Sequence, residues 1–303
     1  MTLRILVAAS ALALLSLNAS AAFAANDPLA ADAPASDAST IVVGSADFPE
    51  SQLLATIYAK ALAAKGIKVD AHMNIGSREV YLPALKDGSI DLLPEYAGAA
   101  LRYLDKDSTA NAPEDVVAAL KKVLPTGVSM LDASKAQDTT TVAVTQATAD
   151  KYKLKSIADL KPHAASLVLG GPPEWKVRPE GVPGMKNIYG LEFKSYKTLD
   201  VCGPLTLSAL DNGQVDVACM NSTDPAIKSH KLLSLEDPKA MIPSQSIVPL
   251  ITTSKATKEV AAVLNEVSAA LTTDDLIVMN GRVDAHDSYD TIADDWLKSH
   301  KID

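Results

Sequence analysis

The stretches ALKDGSIDL at residues 84–92 and ALDNGQVDV at residues 209–217 are nearly the same, and together they decide the fold. Each contains the end of a helix, a glycine that stops it and the start of a short strand. The two strands then continue into PEYAG (94–98) and CMNSTD (219–224), which are polar or aromatic. In open α/β sheets, ligands bind beyond the carboxyl ends of the strands. The repeat therefore predicts two similarly built lobes that present strand ends to one cleft, although helix–glycine–strand units are common enough to match by chance.

Strands and helices alternate around the first of these stretches. TIVVGS (40–45) is a β-branched run typical of a buried strand, and residues 49–66 carry apolar side chains three to four positions apart, as an amphipathic helix does. Residues 67–75 indicate a second strand, 76–88 a second helix and 89–96 a third strand. The alternation predicts the α/β class, with a mainly parallel sheet flanked by helices in each lobe.

The chain is predicted to pass twice between the lobes. TTTVAVT (139–145) is a β-prone run that can carry it into the second lobe, and SQSIVPLITT (244–253) can carry it back. We therefore expect residues 40–138 to form the first part of lobe 1 and residues 139–243 to form lobe 2. Residues 244–303 would return to lobe 1 and add its C-terminal helices, so that two strands form the hinge.

The first 25 residues have the pattern of a signal peptide: an arginine near the start, an apolar run, and the sequence AFA at 22–24 as a cleavage site. The apolar run is shorter than the roughly 20 residues that span a bilayer. Residues 26–39 are rich in Ala, Asp, Ser and Pro and are predicted to be a flexible leader. We expect a soluble protein exported to the periplasm, with no membrane insertion and, because no cysteine lies near the cleavage site, no lipid anchor.

The composition excludes several classes of function. The chain of 303 residues carries a net charge of −9 without a basic patch, so nucleic acid is not an expected partner. Its five histidines are scattered, and no metal-binding, nucleophile-elbow or phosphate-loop pattern is present. The sequence therefore predicts a protein that is not an enzyme and that holds no cofactor and no metal.

Cys202 and Cys219 are the only cysteines, and the strand pattern puts both at the carboxyl ends of predicted strands in one lobe. An oxidising compartment permits a disulfide between them, and neighbouring strand ends allow the Cα separation that a bridge needs. Two buried thiols that pack as small apolar groups are the alternative.

Four segments resemble a known family: GSADFPESQLL (44–54), the stretch from NIGSREV to PEYAG (74–98), LVLGGPPEWKVRPEGVPGMKNIYGLEF (167–193) and LDVCGPLTLSALDNGQVDVACMNSTD (199–224). The family is that of the substrate-binding components of glycine betaine/carnitine/choline ABC transporters, and the similarity runs from Ile41 to Ile302. The resemblance implies a type II periplasmic-binding-protein fold, two lobes that close over one small solute, and delivery to permease subunits driven by an ATPase.

The same resemblance implies a ligand site in which tyrosine rings surround a quaternary ammonium. Tyr96 matches one of these rings, and Asp138 matches a nearby acidic residue. Thr140 and Leu207 stand at the positions that resemble two further tyrosines. Losing two rings would weaken trimethylammonium binding about tenfold or more, so the chain either binds betaine poorly or binds another solute.

The resemblance also implies a set of residues that binds the solute carboxylate, and this chain retains only part of that set. Ala46 and Ala99 stand where the resemblance implies a lysine and a threonine, whereas Arg178 is retained and is predicted to bind a solute carboxylate. Trp175, near Arg178, either replaces a lost ring or packs in the core.

Further candidates follow from their positions at strand ends and helix starts, where each could instead be a turn or capping residue. They are Ser45, Asp47, Phe48, Ser77, Gly203, Pro204, Thr223 and Asp224.

We thus expect a monomeric solute-binding protein for a zwitterionic or cationic amine. A periplasmic ligand sensor, or the same fold with a different solute, is the alternative.

Overall fold

The computed structural model describes residues 39–302. The strands are β1 Ile41–Gly44, β2 Val69–His72, β3 Leu92–Tyr96, β4 Val128–Met130, β5 Thr140–Thr145, β6 Val168–Gly171, β7 Ser195–Thr198, β8 Val217–Asn221, β9 Leu232–Ser234 and β10 Ile247–Thr252. The helices are α1 Pro49–Ala64, α2 Arg78–Asp87, α3 Ala97–Leu104, α4 Pro113–Val123, α5 Gln146–Tyr152, α6 Val182–Tyr189, α7 Pro204–Asp211, α8 Ala226–Ser229, α9 Lys258–Ala270, α10 Thr273–Asp284 and α11 Tyr289–His300. The predicted signal peptide (1–25) and all but the last residue of the predicted leader (26–39) lie outside the described residues.

Two five-stranded sheets have the same plan, and each forms the centre of a lobe. Their orders are β2-β1-β3-β10-β4 in lobe 1 and β7-β6-β8-β5-β9 in lobe 2. In each sheet the first three strands are parallel and the last two pairings are antiparallel. The predicted two-lobed α/β fold with mainly parallel sheets is confirmed: in each sheet four of the five strands run in one direction, and only β10 or β5 runs against them.

The mixed direction follows from the way in which the chain enters each sheet. Strand β10 arrives from lobe 2, and its first residue, Ile247, pairs with Tyr96, the last residue of β3. Strand β5 arrives from lobe 1, and Thr140 pairs in the same way with Asn221 at the end of β8. A strand that enters at the cleft, where the parallel strands end, must run antiparallel to them.

The two segments that connect the sheets lie side by side. Gln137 forms an isolated antiparallel bridge with Ser246. The amide of Asp138 donates to the carbonyl of Gln245 at 3.2 Å, and the amide of Ile247 donates to the carbonyl of Ala136 at 3.1 Å. The chain therefore crosses between the lobes on a short paired ribbon directly below the strand ends.

The sequence repeat has a structural counterpart in each lobe. Val42 donates its amide to Oδ2 of Asp91 at 2.9 Å, and the amide of Asp91 donates to the carbonyl of Val42 at 2.7 Å. In lobe 2, Val168 donates to Oδ2 of Asp216 at 2.8 Å, and Asp216 donates back at 2.9 Å. The repeated aspartate thus starts the pairing between the two central parallel strands of each sheet.

A close approach accompanies this pairing. A Cβ on Gly44 would lie 2.9 Å from Cδ1 of Ile90, and a Cβ on Gly170 would lie 2.9 Å from Cγ1 of Val215. Only glycine lets the branched side chain of the neighbouring segment pack directly on the strand.

The apolar core is divided between the faces of the two sheets. Helix α1 packs against lobe 1 together with α9, α10 and α11, and its central residues are fully buried. In the part of the chain from 39 to 302, no helix is both long and apolar enough to cross a bilayer.

Candidate functional site

A cavity lies between the lobes at the carboxyl ends of the parallel strands. It is bounded by the loop after β1, the start of α2, the end of β3, the connecting ribbon, and the loops after β6 and β7. Eight of the sequence-predicted residues line it: Asp47, Phe48, Ser77, Tyr96, Asp138, Thr140, Trp175 and Arg178. Six polar or aromatic residues that sequence reasoning missed also line it: Arg78, Tyr81, Glu174, Glu180, Asn221 and Gln245.

Four aromatic side chains surround this cavity, more than the family resemblance predicted. The rings of Phe48 and Tyr96 have centroids 5.6 Å apart. Tyr81 and Trp175 complete the set, and each is 3% exposed. Tyr81 lies one helical turn after Ser77 on α2, so the spacing on that helix was the signal for it. Trp175 is both buried in the core of lobe 2 and part of the cavity wall.

Arg178 forms an ion pair with the protein itself. Its Nε and Nη2 donate to the two carboxylate oxygens of Glu79, at 3.1 and 2.8 Å, across the cleft from lobe 2 to lobe 1. Partial burial alone would raise the pKa of Glu79, but hydrogen bonds from Arg178 and from Ser77 bring it down to about 2. The Arg178 guanidinium, which was predicted to bind a solute carboxylate, therefore binds the carboxylate of Glu79. Ser77 also donates its hydroxyl to Glu79, at 2.8 Å, instead of capping α2.

A second arginine pair is buried beside the cavity. Nε and Nη2 of Arg78 donate to the carboxylate of Glu95 at 3.1 and 2.7 Å. Glu95 also accepts the amide of Tyr96 at 2.7 Å. Burial acts to lower the pKa of Arg78, but the adjacent Glu95 more than offsets this and the pKa is raised. The pair fixes the start of α2 against the end of β3. Tyr81 on α2 and Tyr96 on β3 both line the cavity.

A buried carboxyl pair lies at the junction of the lobes, and one of its members, Asp138, also lines the cavity. Glu50 accepts the hydroxyl of Tyr96 at 2.8 Å, the hydroxyl of Thr223 at 2.6 Å and the amide of Asn280 at 2.7 Å. Asp138, within hydrogen-bonding reach of Glu50, accepts the backbone amide of Thr223 at 3.2 Å. The two carboxyls are only 4% and 5% exposed.

The pKa of each carboxyl in this pair is raised. For Glu50 the cause is burial, which its three hydrogen-bond donors offset only in part. For Asp138 the causes are burial and then the charge of Glu50. Two buried carboxyls in contact share a proton more readily than they carry two charges. Thr223 follows β8 in lobe 2, so its hydrogen bond to Glu50 joins lobe 2 to lobe 1.

Six sequence-predicted residues do not line this cavity. Ser45 is buried, and its hydroxyl binds backbone atoms at 2.8 and 2.9 Å. The others lie around an adjoining cavity of about 720 Å³, which shares Phe48, Cys202 and Asn221 with the first: Gly203, Pro204, Leu207, Thr223 and Asp224. The start of α7 is not open to a ligand, because Asp200 accepts the amides of Leu205 and Thr206 at 3.0 and 2.9 Å. Position after a strand was therefore insufficient to identify which cavity a residue faces.

A disulfide joins Cys202 and Cys219, whose Cα atoms lie 5.1 Å apart. Cys219 is the third residue of β8 rather than its end, and Cys202 lies in the loop after β7 with a left-handed φ of 54°. The bridge holds that loop against the central strand, and Cys202 thereby contributes to the cavity wall.

Comparisons with known proteins show the family and the fold of the chain. Residues 39–299 match the family described as "Substrate binding domain of ABC-type glycine betaine transport system". The carnitine transport binding protein OpuCC of Listeria monocytogenes is 28% identical over 252 residues, 81% of each chain. The glycine-betaine-binding protein of Pseudomonas aeruginosa is 26% identical over 280 residues, 88% of this chain and 89% of that one. The crystal structure of a glycine betaine/carnitine/choline ABC transporter protein shares the fold, with a TM-score of 0.69 at 24% identity, over 86% of this chain and 99% of that one.

Proposed function

Because the chain belongs to the family of substrate-binding domains of ABC-type glycine betaine transport systems, we propose that it captures a small osmoprotectant-like amine between its lobes. The solute class is that of the relatives, which are named for carnitine and glycine betaine. The protein would deliver the solute unchanged, without catalysis, to permease subunits that an ATPase drives. It would act as a monomer in the periplasm, after removal of the signal peptide.

The observation that carries this proposal is the set of four aromatic rings around the interlobe cavity. A desolvated cation over an aromatic face gains about 0.5–2 kcal/mol per ring. Phe48, Tyr81 and Tyr96 come from lobe 1 and Trp175 comes from lobe 2. A methylated ammonium between them would contact both lobes at once, so its binding favours the closed arrangement.

The contacts across the cleft support the proposed delivery of the solute to a permease. The pair between Arg178 and Glu79 and the bond from Thr223 to Glu50 both join the lobes. A permease that recognises the closed arrangement would therefore distinguish the loaded protein from the empty one, since a bound solute adds interlobe contacts to those already present.

Isothermal titration calorimetry with choline, glycine betaine and carnitine tests the proposal. We expect at least one of them to bind, and Tyr81→Leu to weaken that binding about 2- to 30-fold through the loss of one ring. Tyr103→Leu is the matched control, because Tyr103 is a partly buried tyrosine of the same lobe that does not line the cavity. Absence of binding to all three by the correctly folded protein would refute the assigned solute class.

A further inference from the structure

We propose that Glu180 selects the solute: the protein prefers a monocation that carries an N–H or O–H donor over a zwitterion that has none. The inference rests on the proposed function and refines it. Glu180 lines the interlobe cavity in the turn RPEG at residues 178–181. The sequence pattern had indicated only Arg178 in this turn as a binding residue.

The first observation is an unpaired buried oxygen. Glu180 is 7% exposed, and its Oε2 is buried without a hydrogen-bond partner among the described residues. Buried polar groups in native proteins are almost always paired, and a carboxylate oxygen is more costly to leave unpaired than a neutral one. Because Glu180 lines the cavity, the proposal assigns the missing donor to the solute.

The second observation is the charge of the cavity wall. Its two cationic side chains, Arg78 and Arg178, each donate two hydrogen bonds to a protein carboxylate. Glu174 and Glu180 also line the cavity. Arg78 lies close enough to attract Glu180, which offsets part of the cost of burying that carboxylate. The wall therefore favours a cation, and a carboxylate on the solute would meet acidic side chains without a free cationic partner.

The third observation is the rigidity of the turn that carries Glu180. A Cβ on Gly181 would lie 2.2 Å from the carbonyl oxygen of Trp175, and its amide donates to the carbonyl of Arg178 at 3.0 Å. The backbone is thus packed directly against the backbone of Trp175, so the turn that carries Glu180 is fixed before a solute arrives. An acceptor positioned in this way loses little conformational freedom on binding.

Two pairs of probes separate this proposal from simple ammonium binding. Choline and its methyl ether have the same charge, but only choline has an O–H; trimethylammonium has an N–H that tetramethylammonium lacks. A hydrogen bond to a charged group is expected to favour the donor-bearing member of a pair about 10- to 100-fold. Glycine betaine, which has no donor and carries a carboxylate, should bind more weakly than choline.

Calorimetry on wild type, Glu180→Leu and Glu180→Gln measures these preferences, with thermal melting to confirm that each variant is folded. We expect Glu180→Leu to reduce the preference in both pairs to less than about 3-fold and Glu180→Gln to give an intermediate value, because an amide still accepts but carries no charge. Glu266→Gln, on an exposed surface of α9, should leave both preferences unchanged.

The outcomes are distinguishable. If glycine betaine and the donor-free probes bind wild type as tightly as their partners, or if the preference survives in Glu180→Leu, the role of Glu180 is refuted while the proposed function stands. If no ammonium compound binds wild type, both are refuted.

Discussion

Replacing Asp138 with asparagine should make the protein more stable at neutral and alkaline pH, although it removes a buried residue from a hydrogen-bond network. Asp138 and Glu50 form a carboxyl pair that accepts hydrogen bonds from neutral hydroxyl and amide groups. Asparagine can still accept from Ser222 and from the amide of Thr223 through the same oxygen, and its amide can donate to Glu50. The variant thus replaces a contact between two acids with a hydrogen bond.

The sign follows from the direction of the pKa shifts. Both carboxyls have a raised pKa in the folded protein, so the native state keeps a proton that the unfolded chain loses near pH 4. Above that pH the free energy of unfolding falls by up to about 1.4 kcal/mol for each pH unit over which one extra proton is held, until the pH passes the raised pKa. The variant has lost one of the two carboxyls, so its stability should fall less.

Urea unfolding, followed by far-ultraviolet circular dichroism at several values between pH 5 and pH 8, measures the effect. The difference in unfolding free energy, variant minus wild type, should rise across this range, by up to about 1.4 kcal/mol for each pH unit over which wild type holds the extra proton. Other carboxyls with raised pKa values, such as Asp224, occur in both proteins and cancel in the difference. Asp274→Asn, at an exposed position, is the control and should show no such trend. Parallel stability curves for wild type and Asp138→Asn would refute the shared-proton account.

Two further predictions concern the disulfide and the ion pair across the cleft. Reducing the bridge between Cys202 and Cys219, which closes a loop with a sequence separation of 17, should lower the free energy of unfolding by about 3 kcal/mol in denaturant curves, and a loss below about 1 kcal/mol would contradict this. Glu79→Gln should free Arg178 to bind a solute carboxylate, so the affinity for glycine betaine should rise relative to that for choline; an unchanged ratio by calorimetry would show that Arg178 does not face the solute.

The plan of the two lobes was largely readable from the sequence, because local chemistry dictates it. Gly88 and Gly213 adopt left-handed φ angles of 83° and 65°, which stop their helices as the repeat predicted. Helix α10 was not anticipated, although Thr272 and Asp275 form a capping box that marks its start. Helix α3 gave no such signal, since it follows β3 directly and its N-cap, Tyr96, makes no capping bond through its side chain.

The site was less predictable, because its decisive features join residues far apart in the chain. Glu50 is an acidic residue in the first turn of α1, which is a common position for one, yet its partners Thr223 and Asn280 lie 173 and 230 positions away. Arg178 lines the cavity, but the carboxylate it binds, Glu79, is 99 positions distant on the other lobe. Residue type and position identified candidates, whereas only tertiary geometry decides which charges neutralise one another.

That neutralisation changes how the site should recognise a solute. A cleft that bound a zwitterion through Arg178 would need the solute's carboxylate to bring the two lobes together. Here Glu79 already supplies that carboxylate from the opposite lobe. Interlobe attraction at this point is therefore independent of the solute, and selectivity must come from groups that the protein leaves unpaired. In the proposal made above, the aromatic faces and Oε2 of Glu180 are those groups, and the selection they would impose is by cationic charge and by hydrogen-bond donors rather than by the presence of a carboxylate.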